Sequence, residues 1–85
     1  MNNLESSVQH IKSKEDFLEF LEALNQDFKN NIGTWENKTI DSFIEAMQSW
    51  VEDMDGYYIN TKQPIPKDLN WKVFADILIA SKMYE

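Results

Sequence analysis

The chain has 85 residues, 42% of them apolar, with only two Gly, two Pro and no Cys. These values allow one small domain and exclude a disordered chain, a disulfide framework and a thiol nucleophile. Eight lysines and no arginine stand against fifteen Asp and Glu, and the net charge of −7 opposes binding to nucleic acids or to an anionic membrane.

The first third of the chain predicts one long helix. It runs from about residue 14 to about residue 30, with Ser13 as its N-cap and Asp16 placed to complete a capping box. Gly33 lies just beyond and fits a stop signal. Residues at helical spacing form its apolar stripe: Phe17, Phe20, Leu21, Leu24 and Phe28. The same spacing leaves open a short N-terminal helix that contains Leu4, Val8 and Ile11.

A second helix is predicted from about residue 39 to about residue 55. Thr39 or Asn37 can cap its start, and Gly56 is the candidate for the residue that ends it. Its apolar stripe is the clearest in the chain: Ile40, Phe43, Ile44, Met47, Trp50, Val51 and Met54.

A third helix, from about residue 71 to about residue 84, follows a connection that both prolines make stiff. Asn70 or Asp68 can cap it. Its apolar residues lie on two sides: Trp71, Phe74, Ala75 and Leu78 on one, and Val73, Ile77, Ala80 and Tyr84 on the other. This pattern predicts either the central helix of a bundle or a contact with a second copy of the chain.

The elements together predict an all-α fold over residues 1–85, a compact bundle of three main helices in which residues 1–12 are the least regular part. We expect a monomer rather than a homodimer, because the net charge of −7 opposes self-association. The predicted core is Phe17, Leu21, Leu24, Phe43, Met47, Trp50, Phe74 and Leu78.

Carboxylates crowd the predicted end of the second helix. Glu52, Asp53 and Asp55 would lie at the negative pole of the helix dipole, where each costs on the order of 0.3–1 kcal/mol. Such a departure from helix preferences indicates either a recognition site or a turn in which Asp55 bonds the backbone beside Gly56.

Aromatic residues flank the same helix. Trp35 and Glu36 precede its start, and Tyr57 and Tyr58 follow its predicted end. Loop aromatics beside carboxylates are typical of protein-binding patches, although they also close the ends of small bundles. We predict the binding residues to be Trp35, Glu36, Asp53, Asp55, Tyr57 and Tyr58. Because this helix is about 25 Å long, the set divides into two halves, and we favour the half with tyrosines and carboxylates.

The carboxylates of the chain suggest two metal-site hypotheses. An EF-hand loop fails because its first and last ligand positions would be Val51 and Lys62. Paired motifs at residues 19–22 and 52–55 resemble those with which all-α nucleoside triphosphate pyrophosphatases hold magnesium. Their four carboxylates, Glu19, Glu22, Glu52 and Asp55, would have to converge on one site. We interpret them as solvated helix faces, and the lone His10 as a surface residue, and expect no metal or cofactor.

Four segments resemble a family of small bacterial proteins classed only as a domain of unknown function. They are residues 13–18, Trp-Glu-Asn at 35–37, residues 42–47, and Trp-x-x-Asp-Met-Asp-Gly-Tyr-Tyr at 50–58; residues 71–85 fit the same family. The resemblance implies no activity. Small acidic proteins of this size often include immunity proteins against bacterial toxins, which is an analogy of size and charge.

We therefore expect a non-enzymatic protein-interaction module with a basic protein partner. The alternative is a magnesium-dependent nucleotide pyrophosphatase. No secretory signal opens the chain, and its longest uninterrupted apolar run covers only residues 77–80, so we expect a cytoplasmic location.

Overall fold

Three long helices and one short N-terminal helix make up the fold. The computed structural model describes residues 4–84, apart from the side chains of Glu5 and Ser6. The helices are α1 (Leu4–Ser7), α2 (Lys14–Asn30), α3 (Ile40–Asn60) and α4 (Trp71–Met83), with 3₁₀ turns at Val8–His10 and Ile32–Thr34. Residues 4–84 contain no strand, so the predicted all-α bundle of three main helices is confirmed.

Side-chain caps begin each of the three long helices. Ser13, Thr39 and Asn70 each accept a hydrogen bond from the backbone N–H three residues later. These bonds satisfy N–H groups that have no partner inside the helix. Asn37, the alternative cap for α3, has a different role that is described below.

The end of α3 differs from the prediction, because the helix continues through Gly56 to Asn60. It ends in a Schellman motif in which Lys62, at φ 61°, takes the left-handed position. The N–H of Lys62 donates to the carbonyl of Ile59 at 3.1 Å, and the N–H of Gln63 donates to that of Tyr58 at 2.8 Å. The interior glycine costs about 1 kcal/mol, and the burial of Tyr58 outweighs that cost.

Gly33 is not the stop signal of α2 either. The helix ends at Asn30, its C-cap is Asn31, and Gly33 lies within the next 3₁₀ turn. Neither glycine has a positive φ.

The central position predicted for α4 is confirmed. It packs against α3, against α2 and against the 3₁₀ turn at Val8–His10, so the chain itself covers two sides of this helix. The N-terminal segment contributes to the core. Its three regularly spaced apolar side chains are buried there: Leu4, Val8 and Ile11.

The predicted core is only partly correct. Phe17, Leu24 and Trp50 are buried, and Phe43, Met47 and Leu78 are half-buried. Leu21 and Phe74 are exposed, which corrects the prediction. Phe74 still stacks on Phe17 with ring centroids 5.0 Å apart, so it closes the outer edge of the contact between α2 and α4.

Candidate functional site

Trp35 lies in the core, with an exposed fraction of only 6%, so its predicted place in a surface patch is wrong. Its ring packs edge-on against Phe28 and stacks near Phe43, at the start of α3. The indole N–H donates a 2.8 Å hydrogen bond to Oδ2 of Asp27. Trp35 therefore holds α2 and the start of α3 together.

A buried ion pair completes this contact. Nζ of Lys82 lies 2.8 Å from the same Asp27 oxygen, and both side chains are about nine-tenths buried. The ammonium also lies 5.5 Å from the centre of the Trp35 ring. Burial alone would raise the pKa of Asp27, but hydrogen bonds from Lys82, Trp35 and Asn31 hold that pKa below its ordinary value.

The next two residues anchor the end of α4. The backbone N–H groups of Glu36 and Asn37 both donate to the carbonyl of Lys82 at 3.1 Å. The Asn37 amide donates to the carbonyls of Ser81 and Tyr84, at 3.0 and 2.7 Å. The Trp-Glu-Asn segment thus supplies donors to helix-terminal carbonyls that need partners. The Glu36 side chain remains exposed.

Tyr58 is the second predicted site residue that proves to be buried, with 1% of its surface exposed. It lies within α3, not in a loop, because the helix extends past Gly56. Its hydroxyl donates a 2.6 Å hydrogen bond to Oδ2 of Asp76, which also lies 3.1 Å from Nζ of Lys72. Burial, and then this hydrogen bond and the nearby carboxylate charge, raise the pKa of Tyr58.

The other predicted residues of α3 reach the surface on different sides. Asp53 is exposed and accepts a 2.7 Å hydrogen bond from the hydroxyl of Tyr84, which raises the pKa of Tyr84. Tyr57 is half-buried, while Asp55 is exposed. Since α3 ends at Asn60, these carboxylates do not crowd its last turn, and the predicted dipole cost does not apply.

The outer face of α3 is the most unusual surface of the bundle. Four large apolar side chains on this face are exposed: Ile40 by 75%, Ile44 by 53%, Val51 by 42% and Ile59 by 60%. The sequence pattern placed the first three on the apolar stripe of this helix. That stripe is too wide for one buried face, and α3 packs chiefly against α4, so three of its seven residues stay in solvent.

Carboxylates share this face, and α3 contains no basic residue. By their helical positions, the acidic members lie beside the exposed apolar residues. We define the outer face as Ile40, Asp41, Ile44, Glu45, Val51, Glu52, Asp55 and Ile59. None of its carboxylates forms an ion pair with any described residue. The lysines 72 and 82 are held by Asp76 and Asp27 on other parts of the bundle.

The paired carboxylate motifs are all at the surface. Glu19, Glu22, Glu52 and Asp55 are exposed. Within residues 4–84, apart from the side chains that the structure does not describe, no three acidic or His residues come close enough together to hold a metal ion.

A family model described as a family of unknown function, DUF7660, matches residues 13–85. The chain belongs to this family. The match to DUF7660 covers the Trp-Glu-Asn segment that holds the end of α4, the whole of α3 with its outer face, and the central helix α4. No curated protein and no solved structure matches the chain. Among the described residues, no helix is both long enough and apolar enough to cross a membrane.

Proposed function

We propose that this DUF7660 protein is a non-enzymatic interaction module of the bacterial cytoplasm that binds a basic protein through the outer face of α3. The observation that carries the proposal is the row of exposed Ile and Val side chains on a helix with five carboxylates and no lysine. Apolar residues exposed together beside polar ones are typical of protein-binding surfaces.

The two kinds of side chain have different roles in the proposed complex. Burial of Ile44, Val51 and Ile59 against a partner supplies affinity, at roughly 25 cal/mol per Å² of apolar surface removed from water. The carboxylates raise the association rate of a basic partner and disfavour acidic ones. Neutralisation of a basic toxin is one concrete form that this function can take, and it needs no cofactor.

A synthetic peptide tests the proposal. The probe is an amphipathic helix with leucine on one face and lysine on the other, and calorimetry measures its affinity. We expect Ile44→Ser with Val51→Ser to weaken binding at least about tenfold, since about 1.4 kcal/mol of lost contact corresponds to tenfold in affinity.

The matched control is Leu18→Ser, which changes an exposed apolar residue of α2 and is expected to leave the affinity unchanged. A scrambled peptide of the same composition controls for charge alone. Equal loss of affinity in Leu18→Ser, or equal binding of the scrambled peptide, would contradict the proposed site.

A further inference from the structure

A groove lies between the 3₁₀ turn at Val8–His10, α3 and α4, on a different side of α3 from the outer face. It is a cavity of about 410 Å³. Three aromatic residues line it, namely Trp50, Tyr57 and Tyr84, together with aliphatic side chains from α4 such as Ile79 and Met83. The rings of Trp50 and Tyr57 have their centres 5.4 Å apart. Trp50 is nearly buried, so the half-buried Tyr57 and Tyr84 are the more accessible aromatic rings of the groove, beside an apolar wall from α4.

Asp76 also lines the groove, and its carboxylate is only partly used by the protein. The residue is 7% exposed. Both of its hydrogen bonds, from Tyr58 and Lys72, reach Oδ2. In the part of the chain that the structure describes, no donor reaches Oδ1. Since no buried side-chain oxygen among the described residues lacks a partner, Oδ1 keeps contact with solvent, and Asp76 brings a hydrogen-bond acceptor to the lining of the groove.

The described charges beside the groove leave one carboxylate in excess. Lys72 balances the charge of Asp76, and Asp53, which holds the hydroxyl of Tyr84, adds a further negative charge beside the groove. No lysine is among the described residues that line the groove. An uncharged apolar ligand that covers Oδ1 of Asp76 would leave this oxygen without a hydrogen bond, which is unfavourable.

We infer that this groove binds an alkylguanidinium group, the chemistry of an arginine side chain. The planar cation stacks on aromatic faces and donates to Oδ1 of Asp76, while the alkyl stem packs on Ile79 and Met83. A lysine ammonium fits less well, because it is more strongly hydrated and has no flat face for stacking. This site stands independently of the outer face.

The test is an NMR titration with n-butylguanidinium and with its neutral isostere n-butylurea. We expect saturable shifts of the Trp50 and Tyr57 ring signals, with guanidinium bound about tenfold more tightly than urea because only the cation makes charge-assisted and cation–π contacts. Equal affinity for the two probes, or no saturable shift with the guanidinium, would overturn the inference.

Variants locate the binding. Tyr57→Leu changes a half-buried wall residue and keeps it apolar, so the fold should persist while guanidinium affinity falls several-fold. Asp76→Asn should reduce the preference for guanidinium over urea, if circular dichroism shows it folded. Leu18→Ser, an exposed change on α2 outside both the groove and the outer face, is the matched control and should bind butylguanidinium as the unchanged protein does. Unchanged affinity in Tyr57→Leu would place the bound cation elsewhere.

Discussion

Two polar clusters, each built around one buried carboxylate and one lysine, join separate parts of the bundle. Asp27 accepts hydrogen bonds from Lys82 and Trp35, and Asp76 accepts hydrogen bonds from Lys72 and Tyr58. The sequence could not predict the first cluster, because Asp27 and Lys82 are far apart in the chain and each fits an ordinary helix surface position. The second cluster depends on Tyr58. The sequence prediction ended the helix before this residue, whereas the structure includes it in α3.

The Asp27 cluster leads to a prediction about stability and pH. Asp27→Asn leaves the Lys82 ammonium buried without a counter-charge, and we expect a loss of about 3 kcal/mol in the free energy of unfolding at pH 7. Glu22→Gln, an exposed change on the same helix, is the control and should stay within about 0.5 kcal/mol. Urea unfolding measures both.

The pH dependence follows from the lowered pKa of Asp27, whose ordinary value is 3.8. The unfolded chain binds the proton more readily than the folded one, so the contribution is complete above that ordinary value. It is lost as the pH falls through the lower pKa of the folded state. We therefore expect the difference between the unchanged protein and Asp27→Asn to narrow below about pH 4. A difference that is the same at pH 7 and pH 3 would show that the carboxylate charge is not what stabilises the cluster.

The starts of the three long helices and the ends of α2 and α4 were predictable from the sequence, and the end of α3 was not. Ser13, Thr39 and Asn70 cap the helix starts through side-chain oxygens, so their residue types alone indicate where the helices begin. The end of α3 depends on backbone geometry, and the left-handed position is occupied by Lys62 where glycine is usual. Gly56 does not end α3 as its residue type suggests. The helix continues past it, since Tyr57 and Tyr58 pack against the bundle from helical positions.

The strained position of Lys62 gives a prediction with a stabilising sign. Lys62→Gly should raise the free energy of unfolding by about 1 kcal/mol, since a left-handed conformation costs an L-residue roughly 1–2 kcal/mol and glycine loses part of that gain through chain entropy. Lys67→Gly is the matched control, because Lys67 has no positive φ, and it should give no gain. Thermal unfolding checks both; a destabilised Lys62→Gly would show that the lysine side chain makes a contribution of its own.

Paired and unpaired charges lie on different parts of the bundle. Lys72 and Lys82 form ion pairs with Asp76 and Asp27, whereas the carboxylates of α3 form no ion pair with any described residue. The fold class and the central place of α4 followed from apolar periodicity. The outer face did not, because periodicity shows that Ile44, Val51 and Trp50 lie on apolar sides of a helix but not which side finds a neighbour. Only the arrangement of three helices decides that Trp50 is buried and Val51 is not.

We propose that the carboxylates of the outer face serve recognition and not folding. Glu45→Gln, Glu52→Gln and Asp55→Asn, combined in one variant, remove three exposed charges that have no ion-pair partner among residues 4–84. A urea titration serves as the folding control, and we expect the variant to be at least as stable as the unchanged protein, because like charges along the helix are removed.

The decisive measurement is the affinity of this triple variant for the leucine–lysine helical peptide, determined by calorimetry at moderate salt. We expect binding weaker by about tenfold or more with the fold intact, because complementary charge and apolar burial act together on one face. A folded variant that binds the peptide as tightly as the unchanged protein would contradict the proposal.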